Sequence, residues 1–224
     1  CPPCRRRADA GGTSRPPHAA ATSVTAIGIT RRQWSSWKND CPSSTRVSVK
    51  RRTSSTARKL AVASALEHHA VAYAQHLGMR EDDQCRLARA ALLHDVGKAF
   101  IPVAILDKPG PLTLEEMEEM RQHPRRGYEA LSAQGGFPPE MLDVVLHHHE
   151  FLDGTGYPNG LNGNQISDIV RLTTIVDIYA ALVERRAYRL QFTHARAYAM
   201  MEEMGDKLDQ HLLHAFRPVA FGQY

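Results

Sequence analysis

The stretch HHHEFLDGTGYP, from His147 to Pro158, combines three consecutive histidines and two acids with two glycines and a Tyr-Pro pair. Glycine tolerates positive φ and proline fixes its own φ, so the DGTGYP half predicts a tight loop. That loop directly follows a helix that ends in histidines. Because so much imidazole and carboxylate is unusual at a purely structural helix end, we interpret the rest of the chain as the scaffold of a site built here.

Two other segments place ligand-type side chains beside apolar runs. His94 and Asp95 follow two leucines in LLHDVGK, and Asp177 lies within IVRLTTIVDIYAAL. A carboxylate in an apolar helix is costly unless it is paired or bound to a metal, and we favour a metal over a structural salt bridge for Asp177. His123, just before Pro124, fits a surface position or a ligand equally well. Together these segments predict a metal site.

The composition changes abruptly at Leu60. Residues 1–59 contain 13 Lys or Arg and only 2 acids, whereas residues 60–224 contain 15 Lys or Arg and 22 acids. The basic character therefore belongs to the first segment, and bulk charge gives no support to nucleic-acid binding. Since that segment has no sustained apolar period, we expect residues 1–59 to be a disordered arm or not native coding sequence. Residues 60–224 are expected to form the folded domain.

Apolar residues in this second segment repeat at helical spacing, and no convincing alternating strand occurs, so the predicted fold class is all-α. Thr113 and Glu116 form a capping-box pattern that starts one helix. The expected helices cover about residues 60–77, 81–94, 113–131 with an interruption at Pro124, 139–149, 168–184, 193–205 and 208–216. No apolar run reaches the roughly 20 residues of a membrane span, and a cytoplasmic location is expected.

The residue types also predict a reaction class. Imidazole and carboxylate ligands without thiolate favour Fe²⁺ or Mn²⁺. Asp95 has two oxygens and can bridge two ions, which would turn a bridging water into hydroxide for in-line displacement at phosphorus. Lys98 is placed to hold a phosphate oxygen, and Arg186 and Arg189 share a helical face suited to a second phosphate. No catalytic serine elbow, P-loop or dinucleotide fingerprint occurs.

Six elements follow one another along the chain: HDVGK, the spacer IPVAILDKPGPLT, His123-Pro124, HHEFLDGTGYPNGLNG, the Asp177 helix and RRAYR. In this order they resemble the HD-GYP family of HD-superfamily metal-dependent phosphohydrolases. The resemblance covers about residues 60–221, and the HHExxDGxGYP element is highly specific. It implies a multi-helix HD-superfamily bundle around iron or manganese, with two ions expected here. The implied activity is a phosphodiesterase that opens cyclic di-GMP to linear pGpG, in some members on to GMP, by attack of a metal-bound hydroxide.

Carried over position by position, the resemblance implies specific roles. Asp95 and Lys98 are implied as catalytic residues, and Tyr157, Arg186, Arg189 and Lys98 as substrate-binding residues. The implied metal ligands are His94, Asp95, His123, His148, His149 and Asp177. The implied partners are cyclic di-GMP and an upstream sensory or receiver domain or a diguanylate cyclase, with no nucleic acid and no membrane span.

The chain departs from the family pattern in its first helix. The family supplies a further histidine there, and often a glutamate one turn earlier, but these positions hold Val62 and Arg58. His69 lies on the same face about 10 Å further along the helix. Three interpretations follow: a phosphodiesterase with a corrupted or truncated first helix, a weakened relative that binds a nucleotide or a protein, and an HD phosphohydrolase for another nucleotide. The abrupt composition change beside position 62 favours the first.

Overall fold

The computed structural model describes residues 66–184 and 191–223, and all of them fall within one compact unit. The described residues do not include the arm 1–59 with its Arg58, nor Val62, Arg186 and Arg189. The α-helices are α1 (66–76), α2 (Glu81–Leu93), α3 (Val103–Leu106), α4 (Leu114–Met120), α5 (His123–Gln134), α6 (Pro139–His147), α7 (Asp168–Val183), α8 (His194–Glu202) and α9 (Gln210–Ala220). Short 3-10 helices span Val96–Phe100, Gly163–Gln165 and Gly205–Lys207.

The all-α prediction is confirmed. Within the described ranges the backbone forms helices and loops, with a single isolated bridge between Asp153 and Asn162 in place of any strand. The capping box at Thr113 and Glu116 is present as predicted. The interruption expected at Pro124 lies a few residues earlier, because α4 ends at Met120 and His123 begins α5 with Pro124 in its first turn.

The main core lies between α1, α2, α7, α8 and α9. Tyr73, Tyr179 and Phe216 are fully buried at its centre, where each tyrosine ring meets the Phe216 ring edge-on at about 5 Å. Burial of such side chains contributes about 1.5–3 kcal/mol each. The tyrosine hydroxyls donate hydrogen bonds to backbone carbonyls of α9, Tyr73 to Leu212 and Tyr179 to Ala220. Helix α9 is therefore fixed by polar contacts as well as by apolar packing.

A very close backbone contact joins the segment after α2 to α5. A Cβ added at Gly97 would lie 1.7 Å from the carbonyl oxygen of His123 and 2.7 Å from the amide nitrogen of Gly127. Gly97 lies inside the 3-10 helix Val96–Phe100, beyond the end of α2 at Leu93. The absence of a side chain there lets the two backbones touch, which brings His123 next to Asp95.

The apolar side of α4 is exposed rather than packed. Leu114 keeps 88% of its accessible surface and Met117 keeps 41%, although their helical spacing indicates one apolar side. None of the described helices combines the length and the hydropathy that crossing a membrane requires.

Candidate metal centre

Three histidines from three helix ends point the same nitrogen into one cleft. The Nδ1 atom of each ring lies on a backbone carbonyl: His94 on Ala91 at 2.6 Å, His123 on Met120 at 2.7 Å, and His148 on Val144 and Val145 at 3.1 Å. Because a carbonyl oxygen only accepts hydrogen bonds, each Nδ1 carries a proton. In its neutral form, a ring in this orientation presents the free lone pair of Nε2 to the cleft, as metal-binding histidines do.

Asp95 lies where these nitrogens converge. Its Oδ2 is 3.2 Å from Nε2 of His94, and its Oδ1 is 3.2 Å from Nε2 of His123 and 3.7 Å from Nε2 of His148. His149 adds a fourth donor, since one ligand atom from each of Asp95, His123, His148 and His149 lies within 4.8 Å of the others. The structure thus brings together the ligands predicted in LLHDVGK and in HHHEFLDGTGYP.

Asp177 reaches the same cluster from α7. Its Oδ1 lies 3.4 Å from Nε2 of His94, while its neighbours Ile175, Val176 and Tyr179 are fully buried. Among the described residues the ion-pair partner of Asp177 is a histidine and not a lysine or arginine, so both groups are also able to serve as metal ligands.

The contacts within the cluster fit a bound cation. Nε2 of His123 and Nε2 of His148 lie 3.3 Å apart, yet with both Nδ1 atoms protonated neither nitrogen has a hydrogen to share. Nε2 of His94 and Oδ1 of Asp95 are buried within ion-pair distance of other groups but lack hydrogen-bond geometry. The facing lone pairs of His123 and His148 are stabilised by a cation between them, so the donor set suits a divalent metal.

The pKa values of the side chains in the cluster are shifted in different directions. Burial alone would lower the pKa of His94, but the carboxylates of Asp95 and Asp177 outweigh it and raise this pKa to about 10. Burial opposes ionisation of Asp95, yet the positive charges of His94 and Lys98 hold its pKa well below the usual range. Burial lowers the pKa of His148 and lowers that of His149 further. Without a metal, His94 carries the proton and the other two rings are neutral.

Metal binding is therefore expected to release one proton per chain from His94 near pH 8, in addition to the proton of a metal-bound water that ionises. A metal needs the neutral imidazole of His94, whose pKa is about 10, while His148 and His149 hold no proton to lose. Apparent metal affinity should rise with pH until His94 deprotonates by itself. Titration calorimetry with Mn²⁺ in buffers of different ionisation enthalpy measures the number released. Release of none or of three protons would contradict this distribution.

Of the residues predicted to bind the substrate, the structure describes Lys98 and Tyr157. The ammonium group of Lys98 donates to Oδ2 of Asp95 at 2.5 Å and stays 40% exposed. Tyr157 stacks on His149 with the ring centroids 4.8 Å apart, and burial together with the charges of Asp95 and Asp177 raises its pKa above the ordinary value. Its hydroxyl therefore stays protonated and able to donate at the edge of the cluster.

His69 does not take the place of the missing first-helix histidine. Its ring meets Tyr179 edge-on at 5.2 Å in the packing between α1 and α7. Burial lowers its pKa, with the charges of His68 and His194 as further causes and no contribution from Asp95 or Asp177. In this structure His69 is a packed histidine.

Glu150, which has no role predicted from the sequence, is a buried acid that holds the loop after α6. It is 2% exposed, and its two carboxylate oxygens accept the backbone N–H groups of Asn159 and Leu161 at 2.6 and 3.0 Å. A Cβ on Gly156 would come within 2.4 Å of Glu150 Cα, so the loop folds back directly onto the end of α6. The only signal in the sequence is an acid next to the histidines and a glycine six residues later.

The exchange Glu150→Gln is expected to loosen this loop while the helices stay folded. An amide presents one oxygen and an NH₂ group, so one backbone N–H loses its charged acceptor, at a cost of about 1.5–3 kcal/mol. Hydrogen exchange of the Asn159 and Leu161 amides should accelerate by at least about tenfold. The matched exchange at the exposed Glu129 should leave both amides protected. Unchanged protection in Glu150→Gln would show that the carboxylate does not hold the loop.

His147 belongs to a separate polar chain. Its Nδ1 lies 2.7 Å from Asp143, its Nε2 lies 2.9 Å from the Asn159 amide, and the Ser167 hydroxyl donates to the second oxygen of Asp143. This chain ties the loop and the start of α7 to α6, but it does not enter the cluster.

The chain is similar to known proteins over much of its length. The HD domain family model matches residues 43–212. The chain is 41% identical over 137 residues to the cyclic di-GMP phosphodiesterase response regulator RpfG of Xanthomonas campestris pv. campestris, a match over 61% of this chain and 36% of that protein. It is 42% identical over 130 residues to the 3'3'-cGAMP-specific phosphodiesterase 3 of Vibrio cholerae, over 58% and 28% of the two chains.

These relatives are longer than the present chain, which spans about a third of their length. Among solved structures, Bd1817, an HDG"Y"P protein from Bdellovibrio bacteriovorus, aligns with a TM-score of 0.63 over 76% of this chain and 55% of its own. At 19% identity that likeness concerns the fold alone. The family match covers most of the chain, and the resemblance to HD-GYP proteins is confirmed. The chain belongs to the HD domain family.

Proposed function

We propose that this chain is a metal-dependent phosphodiesterase that opens cyclic di-GMP to linear pGpG. The observation that carries the proposal is the position of Asp95, whose carboxylate lies within 3.7 Å of Nε2 atoms from three separate histidines. The relative RpfG, named as a cyclic di-GMP phosphodiesterase, supports the choice of substrate at 41% identity.

We propose that six side chains hold two metal ions, which are iron or manganese. The described cluster offers nitrogen and oxygen donors without thiolate, which suits these metals. The proposed ligands are His94, Asp95, His123, His148, His149 and Asp177. Such a centre supplies a water of lowered pKa and neutralises the charge that develops on phosphate oxygens.

The other proposed roles belong to side chains around this centre. Lys98 would leave Asp95 to hold a phosphate oxygen once a cation takes over the charge of Asp95, because the two groups are in contact now. The protonated hydroxyl of Tyr157 would donate to the same ligand. Arg186 and Arg189 would bind the second phosphate, a role proposed from their spacing alone.

A second substrate deserves a direct comparison, because a relative named as 3'3'-cGAMP-specific is 42% identical. The purified, metal-loaded chain is incubated anaerobically with cyclic di-GMP or 3'3'-cGAMP, with Mn²⁺ or Fe²⁺, and the products are separated chromatographically. The proposal predicts pGpG from cyclic di-GMP and loss of turnover with a chelator. Turnover of 3'3'-cGAMP without turnover of cyclic di-GMP would assign the other substrate.

The alternative of a weakened relative rests on Val62. The exchange Val62→His adds the imidazole that the family resemblance implies for this position. If the unmodified chain binds cyclic di-GMP without hydrolysing it, and the Val62→His variant hydrolyses it, the unmodified chain is a binding module. Equal turnover by both forms would show that the centre works without that ligand.

A further inference from the structure

The ring of Tyr157 separates Arg121 from His149 of the candidate metal centre. Arg121 follows the last residue of α4, and its guanidinium carbon lies 5.5 Å from the centroid of the Tyr157 ring. Tyr157 in turn stacks on His149, one of the proposed ligands. The three groups form a stack that leads outward from the cluster, and Arg121 is the exposed end of it.

The guanidinium of Arg121 keeps its hydrogen-bond donors available. Over the residues that the structure describes, it makes no salt bridge and no side-chain hydrogen bond, and only the Tyr157 ring holds it. Arg126 shows the contrast, because Glu119 accepts from both of its terminal nitrogens at 2.6 and 3.0 Å. A cation held over an aromatic ring loses little further freedom when it binds an anion, which favours binding.

We propose that Arg121 binds the phosphate of the cyclic dinucleotide that is not being cleaved. This inference rests on the proposed function. A cyclic dinucleotide carries two phosphodiesters, so one anion remains outside the cluster when the other is bound there. The planar fork of an arginine matches two phosphate oxygens.

The test compares a substrate that has two phosphates with one that has a single phosphate. Arg121→Ala is expected to raise KM for cyclic di-GMP at least about tenfold, the loss of one charge-assisted hydrogen-bonded contact, with kcat changed less than about threefold. For bis(p-nitrophenyl) phosphate, a diester with one phosphate, kcat/KM should fall less than about threefold. Arg121→Lys should recover part of the affinity for cyclic di-GMP. Arg125→Ala, at an exposed arginine on α5, is the matched control and should leave both substrates unaffected.

Each other outcome has a distinct meaning. An unchanged KM for cyclic di-GMP would overturn the proposal. Equal losses with both substrates would overturn it too, because they would show that Arg121 acts by holding Tyr157. If the unmodified chain cleaves bis(p-nitrophenyl) phosphate but not cyclic di-GMP, the proposed function fails, and the role of Arg121 fails with it.

Discussion

Asp95→Ala is expected to lower kcat for cyclic di-GMP by at least about a thousandfold and to reduce the bound metal. Asp95 is the acid in contact with His94, His123 and His148, so its removal separates the donors that would share an ion. The metal is expected to supply several kcal/mol of charge stabilisation, and about 4 kcal/mol corresponds to three decades in rate. Steady-state kinetics and elemental analysis of the same sample measure both effects.

The matched control is Asp107→Ala, at an exposed aspartate that follows α3. It should keep both activity and metal content. Circular dichroism of each variant shows whether the helices are retained. A folded Asp95→Ala variant with normal turnover would remove Asp95 from the centre and refute the assignment of ligands.

Gly97→Ala is expected to unfold the site and destabilise the domain by at least about 3 kcal/mol, the upper end of ordinary overpacking. The new methyl group would lie 1.7 Å from the carbonyl oxygen of His123. Both partners are backbone, so no side-chain rotation can relieve the contact. The 3-10 helix must move away from α5, which separates His123 from Asp95. Denaturant unfolding and metal binding measure the two consequences.

Gly110→Ala is the control for the same chemical change. Nothing lies within 4 Å of a Cβ at Gly110, so this variant should unfold within about 0.5 kcal/mol of the original chain. Equal stability of the Gly97 and Gly110 variants would show that the contact at Gly97 is not required.

The residues of the cluster were predictable because local patterns mark them. His94 and Asp95 follow two leucines, His148 and His149 end a helix before a glycine-rich loop, and Asp177 interrupts an apolar helix. Residues that close apolar runs emerge where the core meets a cleft, and the structure brings them together. Their role as metal ligands stays a proposal.

Other features depend on contacts that no local pattern records. Gly97 resembles an ordinary helix-breaking glycine in sequence, but its function is to admit the backbone of α5, 26 residues later. Glu150 is one acid among many until the loop returns its amides to it. Arg121 becomes notable only because Tyr157 lies beneath it. Periodicity places Leu114 and Met117 on one side of α4 but does not say whether anything covers that side.

The most direct test of the metal centre is anomalous diffraction from anaerobically grown crystals of the chain loaded with Mn²⁺. The account predicts two manganese peaks about 3.5–4 Å apart, with Asp95 between them and Nε2 atoms of His94, His123 and His148 as neighbours. Manganese bound elsewhere, or an empty cluster in a preparation that hydrolyses cyclic di-GMP, would contradict it.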